Sequence, residues 1–85
     1  MDIGQNKVKE ELIKVYKIFI ESPQDKKTLE KAETIHKEYY PLANILFDDV
    51  TSKAIWGTID IYTGDMSKEK AKEILRGLES DWFYR

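Results

Sequence analysis

Val8, Leu12, Val15, Tyr16 and Phe19 recur at steps of three and four, which gathers them on one face of a helix. Ile13, Ile18 and Ile20 widen that apolar arc, and Glu10 and Lys14 stand four apart in the order that supports a helix from its solvent side. The pattern stops at Ser22-Pro23. A second helix is expected directly after it: Ser22 as cap, Pro23 in the first helical position, Asp25 three residues past the cap. Leu29, Ala32, Ile35, His36 and Tyr39 carry its apolar stripe, Glu33 and Lys37 pair on its outside, and Pro41 ends it. Near the C-terminus, Ser67 is a cap, and Ala71, Ile74, Leu75, Leu78 and Trp82 form one more helical stripe. Gly77 inside that stripe either costs about 1 kcal/mol relative to alanine or allows close packing.

Residues 42–63 read two ways. As a helix, Leu42, Leu46, Val50, Ala54, Gly57 and Ile61 make a nearly continuous stripe. As strands, "NILFDDV" and the β-prone "IWGTIDIY" would be joined by "TSKA", which lacks the glycine-containing chemistry of tight hairpins. An isolated two-stranded ribbon is also marginal. A long third helix, fraying after Gly57 toward the turn "TGD", is the expectation. The fold class is therefore all-α, a small antiparallel four-helix bundle spanning 1–85 as a single domain. The alternative is an α+β domain with a hairpin around 45–62.

Composition fits such a bundle. Eighty-five residues with 41% hydrophobic and 35% charged positions describe one folded domain. A chain this short buries only about 60–65% of its unfolded surface, so its ten aromatics matter to its stability. The absence of cysteine excludes disulfides, thiolate metal sites and cysteine nucleophiles. "MDIGQNKVKEE" lacks the basic and apolar regions of a signal peptide, and the longest uncharged run, "YYPLANILF", falls far short of a span. A cytoplasmic protein without membrane insertion is expected.

Candidate chemistry is sparse. His36 is the single histidine and lies on an apolar stripe, which suits a packed or interfacial ring better than a catalytic base. Asp48 and Asp49 diverge by roughly 100° on a helix and read as a solvated acidic face. Gly57 and Gly64 are isolated, so no phosphate cradle is formed. No catalytic, cofactor-binding or metal-ligating residue is assigned, and an enzyme is not expected. Lysines such as Lys26, Lys27, Lys70 and Lys72 alternate with acids at a net charge of −2, so nucleic-acid binding is not expected either, although the hairpin alternative would supply a winged-helix shape. Lys7, Lys9, Lys14 and Lys17 flank the apolar face of the first helix, but Glu10, Glu11 and Glu21 oppose attraction to a membrane surface.

The ending "DWFYR" stands out, because three consecutive aromatics cannot all face one core. Trp82, Phe83, Tyr84 and Arg85 are the candidate partner contacts, with a terminal plug over the bundle as the other reading. The helix order, "PLANIL" at the third helix, "MSKEKAKEILRGLES" in the fourth and the tail "WFYR" together resemble the bacteriocin-immunity proteins of the enterocin A and pediocin type. The resemblance implies a cytoplasmic, non-catalytic antiparallel bundle that guards a producer cell at a membrane receptor, with the C-terminal tail in contact; several members of that family are longer and more basic.

The sequence thus points to a small interaction protein, an inhibitor, adaptor or regulator, that holds aromatic anchors against a protein partner or closes a homodimer. Replacing Phe83 and Tyr84 with serine is expected to leave thermal melting unchanged while abolishing partner binding. A collapse in melting would instead assign those rings to the core.

Overall fold

The apolar stripe of α1 (Gln5–Glu21) is buried as its spacing requires: Val8, Leu12, Val15, Tyr16 and Phe19 all lie in the core. In the computed structural model, which describes residues 5–83 and the side chains of 6–80, α1 is followed by α2 (Lys26–Tyr39), a 3-10 turn (Tyr40–Leu42), α3 (Ala43–Leu46), α4 (Asp49–Thr63) and α5 (Lys68–Phe83). The fold is all-α. No strand occurs among the described residues, so the hairpin alternative around 45–62 does not exist in this chain.

The four long helices form a ring in which α1 packs on α2, α2 on α4, α4 on α5 and α5 on α1. Four-residue links join α1 to α2 and α4 to α5, and links this short make those two pairs antiparallel. Lys17 on α1 pairs with Glu79 on α5 at 3.3 Å, and Lys31 on α2 pairs with Glu11 on α1. Across the interior, Lys9 of α1 reaches Asp48, and two turns on Tyr16 reaches Ala54, so α1 and α4 run in the same direction.

Several local expectations need correction. The cap of α2 is Asp25, not Ser22: the Asp25 carboxylate accepts the Thr28 N–H at 2.9 Å and the Thr28 hydroxyl at 2.6 Å, and the helix begins at Lys26. Ser22 contributes its carbonyl to the preceding turn, accepting the Asp25 N–H at 3.0 Å. Lys14 pairs with Glu11 at 3.8 Å, the i,i+3 neighbour. Ile18 remains exposed while Ile13 and Ile20 pack partly against the core. Ser67 does cap α5, accepting the Lys70 N–H at 3.1 Å, and Ala71, Ile74 and Leu78 are buried beneath that helix.

The long third helix is interrupted. Phe47 is extended at φ −119°, ψ 153°, and Asp48 (φ −70°, ψ 171°) restarts the chain as the N-cap of α4, accepting the Thr51 N–H at 2.8 Å. A carboxylate that bonds the backbone three residues ahead offers the chain a competing arrangement to continued helix. The break is filled by the buried Phe47 ring, edge-on to Tyr39 at 5.9 Å, and by Ser52, whose hydroxyl donates to the Ala43 carbonyl. Beyond it α4 is regular to Thr63 and does not fray. Two of its threonines bond their hydroxyls back within the helix, Thr58 to the Ile55 carbonyl at 2.5 Å and Thr63 to the Ile59 carbonyl at 2.8 Å, while the Thr51 hydroxyl is buried without a hydrogen-bond partner among the described residues. Gly64, at φ 86°, then supplies the left-handed cap.

Gly57 is where α4 comes closest to its neighbours. A methyl there would lie 2.5 Å from the Tyr16 hydroxyl, 3.2 Å from Met66 Cε and 3.3 Å from Ile74 Cδ1. The Tyr16 hydroxyl cannot simply retreat, because it donates to the Ala54 carbonyl at 2.7 Å inside the core. Gly77 has no such duty, since a methyl at that position meets only Val50 Cγ1 at 3.9 Å. Gly57→Ala is therefore expected to destabilise by on the order of 1–2 kcal/mol, overpacking outweighing the gain in helix propensity. In a Tyr16→Phe background the same substitution should cost about 1 kcal/mol less. A chemical-denaturation cycle over the four proteins checks this; strict additivity would contradict it.

Candidate functional site

The most perturbed ionisable groups are the first place to look for chemistry. Lys9 lies wholly inside the protein, its ammonium 3.0 Å from Asp48 Oδ2, while Oδ1 of the same carboxylate caps α4. Burial pushes the Asp48 pKa up, but the Thr51 N–H and the Lys9 ammonium outweigh it and hold the group down at about 2. Asp48 is thus neither part of a solvated acidic face nor a proton donor near neutral pH; its oxygens are committed to structure. Asp49, next to it, points to solvent. The Tyr16 hydroxyl, pushed far above the usual phenol range by burial and then by the Asp60 charge, is equally committed.

His36 is half-buried. Its ring stacks on Tyr40 at 4.8 Å and meets Tyr62 edge-on at 5.9 Å, and its Nδ1 is buried with no hydrogen-bond partner. Of the packed and interfacial readings of its stripe, the ring shows the packed one, joining the end of α2 to the end of α4. Among the described residues no group of three His, Cys, Asp or Glu is placed to hold a metal ion.

The candidate contacts from the sequence fall at the limit of what is described. Trp82 and Phe83 continue the backbone of α5, but their side chains, and all of Tyr84 and Arg85, lie outside the described residues. A different apolar surface appears instead. Six large hydrophobic residues among those described stay exposed, and five of them, Tyr40, Ile45, Leu46, Trp56 and Ile59, fall between residues 40 and 59. Ile45 exposes 74% of its surface, more than any of the others.

Two local features build this face. The break at Phe47 ends the stripe that would have buried Leu46, leaving α3 to lie over Ser52 with Ile45 and Leu46 turned outward. On α4, Thr51, Ala54, Ile55, Thr58 and Ile61 take the core side, which puts Asp49, Lys53, Trp56, Ile59 and Asp60 on the opposite side. Trp56 and Ile59 are therefore neighbours on one exposed stripe, and Ile59 leads by one turn to Tyr62 and the His36–Tyr40 stack. The helical stripe read over 42–63 gave no sign that Ile45, Trp56 and Ile59 would stay exposed. An unbroken helix would have hidden the 42–61 stripe, so the signal lay in the cap at Asp48.

The sixth exposed residue, Ile18, opens on a groove of about 280 Å³ between α1 and α2, shared with Val15 and Thr28. Around that groove Lys14 and Lys31 pair with Glu11, and Asp25 is taken up by the Thr28 cap. Among the described residues no helix is long and apolar enough to cross a membrane.

The Asp48 arrangement predicts an acid transition. A carboxyl whose pKa is lowered on folding contributes stability that is complete above its unfolded value near 3.8 and is lost as pH falls through about 2. With 29% of the Asp48 side chain still exposed, the contribution is on the order of 1–2 kcal/mol. Lys9→Met should raise the Asp48 pKa and shift this loss upward in pH, as followed by urea denaturation at a series of pH values; an unchanged profile would contradict the pairing.

Comparison with known proteins adds no relative to this geometry: no protein family matches the chain, and none of the curated proteins or solved structures compared with it does either.

Proposed function

We propose that this chain is a non-catalytic interaction protein whose contact surface is the apolar face of α3 and α4. The observation that carries the reading is the grouping of Tyr40, Ile45, Leu46, Trp56 and Ile59 within one stretch of chain, each more than a third exposed. Burying such a face gives a driving force that scales with the apolar area removed from water. Trp and Tyr are the side chains that most often anchor interfaces. The backbone beneath is fixed by the Asp48 cap, the Ser52 tie and the Tyr16 bond to Ala54, so little ordering is needed on binding. Lys53, Asp49 and Asp60 on the same stripe supply a polar rim.

Mechanistically, a rigid aromatic surface of this kind acts by occlusion or by bridging. Trp82, Phe83, Tyr84 and Arg85 are further candidate contacts by their residue types alone.

Ile45→Glu and Trp56→Glu are expected to change stability by no more than about 0.5 kcal/mol, as is usual for exposed positions. Each should weaken partner binding at least tenfold, about 1.4 kcal/mol. A photo-crosslinking side chain at position 45, used in extracts of the source cell, should capture a discrete partner that the same group at the exposed Lys72 of α5 does not. Equal capture from both positions would contradict this surface.

A further inference from the structure

Resting on the reading of α3 and α4 as the contact surface, we infer that its occupant is a second copy of this chain, docked with the two α4 helices antiparallel about a two-fold axis beside Trp56. The argument comes from how charge is distributed around α4. Lys53 lies three residues before Trp56 and Asp60 four residues after it, both exposed, and among the described residues neither makes an ion pair within the chain. Turning α4 over against itself near positions 56–57 brings Lys53 of each copy opposite Asp60 of the other. One symmetric contact thus makes two ion pairs, as a closed two-fold interface requires.

The apolar half of the stripe obeys the same symmetry. On a helix of 3.6 residues per turn, Trp56 and Ile59 lie on one flank of the exposed stripe and Lys53 and Asp60 on the other. A two-fold axis perpendicular to α4 keeps like flanks together. Trp56 then meets Trp56 of the second copy beside the axis. Ile45 and Leu46, held at the N-terminal end of α4 by the Ser52 bond to Ala43, face Ile59 of the second copy toward the C-terminal end of its α4. Asp49 falls level with Gly64 of the second copy, at the edge. Antiparallel helices also set the positive end of each macrodipole beside the negative end of the other. In a parallel arrangement Lys53 would stand level with Lys53 and Asp60 level with Asp60, leaving no acid opposite a base, so the charges select one orientation.

The test is the mass in solution by sedimentation equilibrium over micromolar to millimolar concentration, with circular dichroism as the control for folding. Wild type is expected at twice the 10.0 kDa chain mass, and Trp56→Glu at the monomer mass. Lys53→Glu and Asp60→Lys, each alone, should raise the dimer dissociation constant at least tenfold. An equimolar mixture of the two should regain a dimer, because an acid then faces a base at both contacts between the unlike chains. The double variant carrying both changes in one chain should also dimerise.

A wild type that stays monomeric, or a dimer indifferent to the charge reversals, overturns the proposal. A monomeric wild type whose position-45 crosslink to a different protein is lost on Trp56→Glu would overturn self-pairing alone and leave the contact surface standing. Loss of both results would overturn both.

Discussion

The carboxylate of Asp48 sits where three requirements of this fold meet. It ends the run of helix begun at Tyr40, caps α4 through Thr51, and neutralises the ammonium of Lys9 inside the bundle. An uncompensated buried ammonium would cost several kcal/mol, so the register of α1 against α4 is tied to the position of this one group. Once that register is set, Tyr16 arrives two turns later at the Ala54 carbonyl, over the space left open by Gly57. The centre of the bundle is therefore located by polar contacts and by an absent side chain, while apolar burial supplies most of the driving force.

The same constraint produces the exposed face. Breaking the third helix at Phe47 rotates α3 away from the α4 stripe, so that Leu46 and Ile45 are turned outward while Phe47 is turned in. Two neighbouring apolar residues left in solvent cost solubility, and they sit on a segment held at Ser52 rather than on a loose terminus. The face is apolar on one flank and charged on the other, and the proposed contact would use both: area for affinity, charge for orientation.

Much of the architecture was legible in the residues. The stripes of α1, α2 and α5 and the Ser67 cap depend on spacing and local hydrogen bonding, and both operate within a few residues of chain. The Ile- and Thr-rich run at 55–63 was legible as helix only through the missing hairpin chemistry; in the bundle the Thr58 and Thr63 hydroxyls bond back to the Ile55 and Ile59 carbonyls, and burial of Ile55, Thr58 and Ile61 overrides the local β preference. The candidate face was much less legible. Leu46 read as part of a continuous stripe because nothing nearby in sequence announces that Asp48 will cap rather than continue.

Periodicity and turn chemistry are local, and they specify the four long helices, the apolar stripes of α1, α2 and α5 and the tight turns between α1 and α2 and between α4 and α5. Which charged residues are interior and which apolar residues are exterior is settled by packing. Lys9 reads as one of four solvent-side lysines until Asp48, 39 residues away, is brought to it. Gly57 reads as a weak point until Tyr16 is seen occupying its missing side chain. Both depend on a partner distant in the chain, and a contact between distant residues is a property of the packed bundle, not of any window of its sequence.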